Sequence, residues 1–246
     1  MIMHWLSPTD FPAQQHDIIS RRQEGTGQWF LDSSEFKRWL QGSDKTLFCP
    51  GIPGAGKTMM AAIAIDHLCR TTLCDDIGVA YLFSNYKAQI DQSVPSLLAA
   101  LLKQLVQSRP DTAAAVTHMY DHSKRKSRPS LDEIFGALQS VCSNYTTVYI
   151  VVDALDECAD GARGRLIDKL CELQARIDMR LLFTSRFIPE ITQKFQSNPI
   201  LEVRASEEDV ERFVAGQMPR LPKCIQRDED LKQDVQNKIV EAVGGM

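Results

Sequence analysis

Apolar runs and amphipathic segments alternate along most of the chain after residue 45. Short apolar runs bounded by turn residues predict five strands, at 46–49, 79–84, 147–153, 180–184 and 200–203. Between residues 94 and 106 the apolar positions recur every three or four residues, which predicts a helix with one apolar face. Repeated alternation of strands and helices is typical of a parallel sheet with helices on both faces. The pattern therefore predicts an α/β fold with a parallel five-stranded sheet.

The two ends of the chain show helical patterns without strands. In the first part an apolar face includes Trp29, Phe36 and Trp39, so we expect residues 1–42 to form a helical arm that packs on a core at 43–205. Residues 206–246 contain two further helical patterns, and the sequence stops soon after the second. We expect them to be the beginning of a helical lid subdomain that is cut short.

Composition and charge argue against several classes of function. The chain has 246 residues, of which 43% are hydrophobic, which is typical of a folded globular protein. It carries 28 Lys and Arg against 32 Asp and Glu, a net charge of −4, so there is no basic field and we expect no nucleic-acid partner. Its apolar runs fall short of the roughly 20 residues that span a bilayer, and its start lacks the features of a secretory signal. We expect a cytoplasmic protein with no membrane contact.

A glycine-rich loop carries the strongest chemical signal. Residues 51–58 fit the pattern G-x-x-x-x-G-K-[ST] after a predicted strand and before a predicted helix, which predicts a P-loop for the phosphates of a nucleotide. In such a loop the backbone amides cradle phosphate oxygens, the lysine adds a positive charge and the threonine hydroxyl binds Mg²⁺. The predicted nucleotide-binding residues are Gly51, Ile52, Pro53, Gly54, Ala55, Gly56, Lys57 and Thr58.

Three acidic residues and one arginine lie at the carboxyl ends of two other predicted strands or just beyond them. Asp153 ends a buried strand, where we expect it to hold Mg²⁺ together with Thr58. Asp156 or Glu157 could orient or deprotonate the attacking water, or could lie in a solvated turn. Arg186 follows the next strand, where it could sense the γ-phosphate or remain solvated.

These motifs together resemble the NACHT domains of the STAND class of P-loop NTPases. The form of the acidic motif at 153–157, DALDE, separates NACHT domains from most other P-loop ATPases. The segments 21–31 and 49–58 further resemble the nephrocystin-like N-terminal type, which occurs in fungal NOD-like receptors and ankyrin-repeat proteins. The resemblance runs from about Trp5 to the end of the sequence.

The resemblance implies binding of ATP, or sometimes GTP, with Mg²⁺, slow hydrolysis, an ADP-bound resting state and nucleotide-dependent assembly with protein partners or further copies. It assigns phosphate and Mg²⁺ to 51–58, the metal to Asp153, hydrolysis to Asp156 or Glu157, and γ-phosphate sensing to Arg186. Trp29 and the neighbouring glycines would lie near the adenine or simply pack. Members of the family continue into a winged helix and sensing repeats, which this sequence does not reach.

Two functions of different classes follow. The first is a slow Mg²⁺-dependent NTPase that acts as the switch of a signalling receptor of the innate-immunity type. The second is a nucleotide-bound scaffold that does not hydrolyse, and the sequence leaves open whether the chain is an enzyme. A small-molecule kinase needs an acceptor pocket and a basic lid, and a helicase needs a basic track for a single strand, so both are weaker alternatives.

Overall fold

The structure, a computed structural model, describes residues 2–71, 76–88, 92–122, 128–218 and 229–244. Its strands are β1 (Thr46–Pro50), β2 (Ile77–Phe83), β3 (Thr147–Asp153) and β4 (Met179–Ser185). The helices before β2 are α1 (Ile2–Leu6), α2 (Phe11–Ser20), α3 (Gln28–Asp32), α4 (Ser34–Gln41) and α5 (Lys57–Thr71). Those between β2 and β3 are α6 (Val94–Ser108), α7 (Ala114–His122) and α8 (Leu131–Cys142). The later helices are α9 (Asp160–Gln174), α10 (Pro189–Lys194), α11 (Glu207–Gln217) and α12 (Glu229–Gly244).

The four strands form one parallel sheet in the order β1-β4-β3-β2. Although β2 follows β1 in the sequence, β4 lies between β1 and β3 in space. The register pairs Pro50 with Ser185, and Phe83 with Asp153, so the carboxyl ends of all four strands meet at one edge. Ligands of open α/β sheets bind at this edge.

The predicted fifth strand at 200–203 is wrong. This segment runs beside β1, where Phe48 donates its N–H to Pro199 and accepts one from Leu201, but only Ile200 makes a parallel bridge. A parallel ladder would continue through Pro50, which accepts an N–H from Val203 at 2.7 Å but has no N–H to return. Because Pro50 can form only one of the two hydrogen bonds of the next bridge, the ladder does not continue. The sheet in the described residues therefore has four strands.

Both faces of the sheet are covered, as the sequence predicts. Every residue of β1, and every residue of β3 after Thr147, is buried. Because successive side chains of a strand point to opposite faces, such runs require packing on both sides. Within the described residues, no helix combines the length and apolar character needed to cross a membrane.

The helices before β1 are fixed to the core by aromatic side chains. Phe36 and Trp39 of α4 are fully buried, and the Trp39 indole donates a hydrogen bond to the backbone oxygen of Leu181 at 2.9 Å. The Tyr149 hydroxyl donates to the backbone oxygen of Leu40, also at 2.9 Å. Two polar aromatic groups therefore connect α4 to β3 and β4. The predicted boundaries between the arm, the core and the lid, at residues 42 and 205, stay predictions.

Candidate functional site

The loop at 51–58 connects β1 to α5, which begins at Lys57. Gly54 and Gly56 adopt φ angles of +83° and +89°, in the left-handed region that side-chain-bearing residues rarely occupy. Nothing lies within 4 Å of where a Cβ would stand on either glycine, so backbone conformation rather than crowding requires glycine here. The loop therefore ends at a helix N-terminus with its backbone open to a ligand.

The Lys57 ammonium folds back over this loop. It donates hydrogen bonds to the backbone oxygens of Gly51 at 2.9 Å and Ile52 at 2.8 Å. Burial lowers the pKa of Lys57, and nearby Arg186 lowers it further, while the carboxylates across the cavity, with Asp156 first, oppose the shift. The cation thus faces acidic groups and lies within the loop that the sequence assigns to phosphate.

Asp153, at the end of β3, is buried, with 2% of its surface exposed. Burial raises its pKa, while hydrogen bonds from the Thr184 and Thr58 side chains oppose that rise. The Thr184 hydroxyl donates to Asp153 Oδ1 at 2.5 Å and accepts the N–H of Ala154 at 2.9 Å. Thr184 on β4 therefore fixes both the carboxylate and the backbone that follows it.

The backbone turns sharply after Asp153. Ala154 has a φ of 54° and is the one described non-glycine residue with a positive φ. Left-handed backbone is strained for an alanine. This turn leads into a short 3₁₀ helix, Leu155–Glu157, which carries the other two acidic candidates.

The structure separates Asp156 from Glu157. Asp156 accepts both the backbone N–H of Arg186 at 3.0 Å and its Nε at 2.5 Å, and the Asp156 side chain is only 2% exposed. Burial tends to raise the Asp156 pKa, but these hydrogen bonds outweigh it, so the pKa lies below its ordinary value. Asp156 is therefore a carboxylate held by an arginine, a poor acceptor for a proton from water.

Glu157 points toward the end of β2. One of its carboxylate oxygens accepts the N–H of Tyr86 at 3.2 Å. Tyr86 begins a 3₁₀ turn, Tyr86–Ala88, just beyond β2, and no sequence motif marks it as part of the site. The available signal was its position after a strand, because the ends of parallel strands meet at one edge.

A cavity of about 430 Å³ lies between the P-loop and the residues at the ends of β3 and β4. On one side it is lined by the P-loop residues Pro53, Gly54, Gly56, Lys57 and Thr58, and on the other by Asp153, Ala154, Asp156, Glu157 and Arg186. Of the other predicted residues, Gly51 is buried, Ile52 is exposed, and Ala55 lines a neighbouring cavity.

That neighbouring cavity, of about 490 Å³, shares Gly54 and Gly56 with the first and is mainly apolar. Met59 and Met60 of α5 line it together with Val210 and Val214 of α11. Trp29, which the sequence places either near the base or in simple packing, lies against α11, where its indole donates to Asp209 at 3.0 Å.

Known structures and proteins resemble parts of this chain. Domain III of the replication initiation protein DnaA from Thermotoga maritima is 14% identical, covers 85% of this chain and 77% of its own, and has a TM-score of 0.47. The ORC1 protein of Aeropyrum pernix, solved in complex with DNA, is 13% identical over 89% of this chain and 53% of its own, with a TM-score of 0.48. TM-scores at this level do not establish a shared fold.

A known protein and a family model match this chain by sequence. The vegetative incompatibility protein HET-E-1 of Podospora anserina is 26% identical in an alignment 222 residues long that covers 82% of this chain but only 16% of that relative's length. The family model described as nephrocystin 3, N-terminal, matches residues 25–186, which is more than half of the chain and includes the P-loop, the acidic motif and Arg186. The chain therefore belongs to the nephrocystin 3 N-terminal family and is a nephrocystin-like NACHT-type P-loop domain.

Proposed function

We propose that this domain binds ATP or GTP with Mg²⁺, hydrolyses it slowly, and serves as the switch module of a longer signalling receptor. One observation carries the proposal: a single cavity of about 430 Å³ has the P-loop on one side and the acidic motif with Arg186 on the other. Lys57 would meet the phosphates from the loop side, while the carboxylates face them from the β3 side. The longer protein would act in the cytoplasm and assemble with protein partners or further copies.

The loop geometry supports phosphate binding. The open left-handed backbone at Gly54 and Gly56 and the N-terminus of α5 favour an anion. The Lys57 ammonium already bonds two backbone oxygens, and phosphate oxygens could replace these acceptors without a change of fold. Since burial lowers the pKa of Lys57, an anion beside it would stabilise its charged form.

Thr58 and Asp153 suit Mg²⁺, which prefers oxygen ligands and is commonly held by one or two protein groups together with phosphates and water. When bound, the ion would supply positive charge that neutralises the negative charge developing during phosphoryl transfer. Asp153 is a buried carboxylate whose pKa is raised by burial, so a neighbouring cation would favour its ionised form. Thr184 would keep that carboxylate oriented through its 2.5 Å hydrogen bond.

The contacts favour different roles for the two remaining acids. We assign Glu157 to orienting the attacking water, because Asp156 is buried against Arg186 and its pKa is lowered. Asp156 would position Arg186 rather than touch substrate. The half-exposed Arg186 side chain lines the same cavity and has further N–H donors that could reach a γ-phosphate there.

The test compares the wild type with Lys57→Ala, Glu157→Gln and a control that removes an exposed charge on α10, Glu190→Gln. We expect Lys57→Ala to lose nucleotide binding, and Glu157→Gln to bind normally but to stop hydrolysis. The control should match the wild type, whose turnover should lie below the roughly 1–100 s⁻¹ typical of kinases.

Binding is measured by titration calorimetry, and hydrolysis by release of phosphate. Undiminished binding by Lys57→Ala would overturn the phosphate assignment, and unchanged turnover in Glu157→Gln would remove Glu157 from the reaction. If the wild type binds ATP but leaves it intact, the domain is the alternative, a nucleotide-bound scaffold.

A further inference from the structure

Helix α11 docks on residues 25–29, which lead into and begin α3, about 180 residues earlier in the chain. A single oxygen of Asp209, Oδ2, accepts the backbone N–H of Gly27 at 2.9 Å and the indole N–H of Trp29 at 3.0 Å. One turn later, Arg212 donates to the backbone oxygen of Gly25 at 2.6 Å. We call these contacts of Asp209 and Arg212 with residues 25–29 the clasp.

One further position of α11 shows how closely the clasp is packed. A Cβ at Gly216 would stand 2.0 Å from the Gln23 side chain, so α11 meets the preceding segment closely at this point. Residues 209, 212 and 216 are spaced by three and four, which puts them on one face of the helix. The face that touches the earlier segment is therefore continuous over two turns of α11.

The clasp joins two segments that form part of the wall of the apolar cavity of about 490 Å³ beside the P-loop. Its lining includes Thr26 of the earlier segment and Val210 and Val214 of α11, together with Gly56 of the P-loop and Met60 of α5. A ligand that extends from the P-loop into this cavity would touch the P-loop and α11 simultaneously. Release of α11 would remove one wall of the cavity.

We propose that Asp209 is a positioning residue that couples occupancy of this cavity to docking of α11, and so sets how long a nucleotide stays bound. The inference rests on the proposed nucleotide-binding function. A ligand that contacts docked α11 favours the docked state, and by linkage the docked state must hold the ligand more tightly by the same factor. Asp209 carries two of the hydrogen bonds of that state on one carboxylate oxygen, so its removal should weaken docking most.

The experiment measures the dissociation rate of a fluorescent ATP analogue by stopped flow, with Mg²⁺ present. The variants are Asp209→Ala, Asp209→Asn and Arg212→Ala, and the control is Glu211→Gln, which removes an exposed charge from the same helix. We expect Asp209→Ala to release nucleotide about 10-fold faster, within the roughly 5- to 150-fold range of known couplings. Arg212→Ala should act in the same direction, Asp209→Asn should lie between Asp209→Ala and the wild type, and the control should be unchanged.

Hydrogen exchange at the Gly27 amide reports the effect of nucleotide on docking of α11. If Asp209 had a merely structural role, nucleotide would not change this exchange rate. In the wild type, saturating nucleotide should slow exchange at Gly27, whereas in Asp209→Ala it should slow it far less. Thermal unfolding of each variant without nucleotide confirms that the core is folded, and Arg212→Ala tests the clasp independently if Asp209→Ala unfolds.

The outcomes separate the two proposals. A wild type that binds no nucleotide overturns the proposed function, and this inference with it. Normal binding with dissociation rates unchanged in Asp209→Ala and Arg212→Ala overturns the clasp alone. Faster release without any nucleotide-dependent protection at Gly27 in the wild type also overturns it, because coupling must act in both directions.

Discussion

Thr184→Val tests whether the hydroxyl of Thr184 organises the acidic motif. Thr184 is fully buried on β4, and its hydroxyl makes two hydrogen bonds, one to the Asp153 carboxylate and one from the Ala154 N–H. Valine keeps the shape of the side chain but has no hydroxyl. The substitution therefore leaves a buried carboxylate and a backbone donor at a strained turn without these partners.

The expected loss of stability follows from these contacts. A hydrogen bond to a charged group contributes about 1.5–3 kcal/mol, and a partly buried N–H left unpaired costs about 1 kcal/mol. The extra methyl group of valine offsets about 0.8 kcal/mol. The free energy of unfolding should therefore fall by about 2–3 kcal/mol, which lowers Tm by roughly 4–12 °C for a domain of this size.

Urea unfolding and calorimetry of Thr184→Val, with Thr184→Ser as the matched variant, provide the assay. Serine keeps the hydroxyl and loses one methyl group, so it should cost only about 0.5–1.5 kcal/mol. If Thr184→Val is no less stable than Thr184→Ser, the hydroxyl does not hold the motif and the role given to Thr184 is refuted.

Two further substitutions probe the turn after β3. Asp156→Asn removes the ion pair with the half-exposed Arg186 and should cost about 1–2 kcal/mol at about pH 7. Because the Asp156 pKa lies below its ordinary value, this difference in the free energy of unfolding should hold above about pH 4 and shrink as the pH falls further. Urea unfolding of both proteins at several pH values measures it. A difference that grows in acid would contradict the prediction. Ala154→Gly removes the backbone strain of an alanine in the left-handed region. After the greater freedom of glycine in the unfolded chain is counted, the free energy of unfolding should rise by about 0.5–1 kcal/mol. A lower Tm of the variant would contradict this prediction.

Much of the sheet edge could be predicted from the sequence because its signals are local. The P-loop at 51–58 is a contiguous motif, and Asp153 ends an apolar run whose length and composition indicate a buried strand. The alternation of strands and helices also predicts parallel pairing, since parallel strands need long connections. These features depend on neighbouring residues, and the structure has them where the sequence puts them.

What the sequence left open depends on distant contacts. Asp156 and Glu157 are adjacent, and they differ only because β4 lies beside β3 and brings Arg186 to Asp156. The predicted fifth strand fails through a single missing N–H, at Pro50, on the neighbouring strand. Asp209 meets Trp29 across about three quarters of the chain, and no spacing rule reports such a pair.

We propose that the cavity between the P-loop and the acidic motif holds the phosphates of a nucleotide. The most direct test of this proposal is to load the purified chain with labelled ATP and Mg²⁺, remove free nucleotide, and identify over time what remains bound, with Lys57→Ala beside it. We expect the wild type to retain one nucleotide per chain and to convert it slowly to ADP that stays bound, and we expect Lys57→Ala to retain none. Equal retention by the two proteins, or none by a wild type that is shown to be folded, would contradict the proposal.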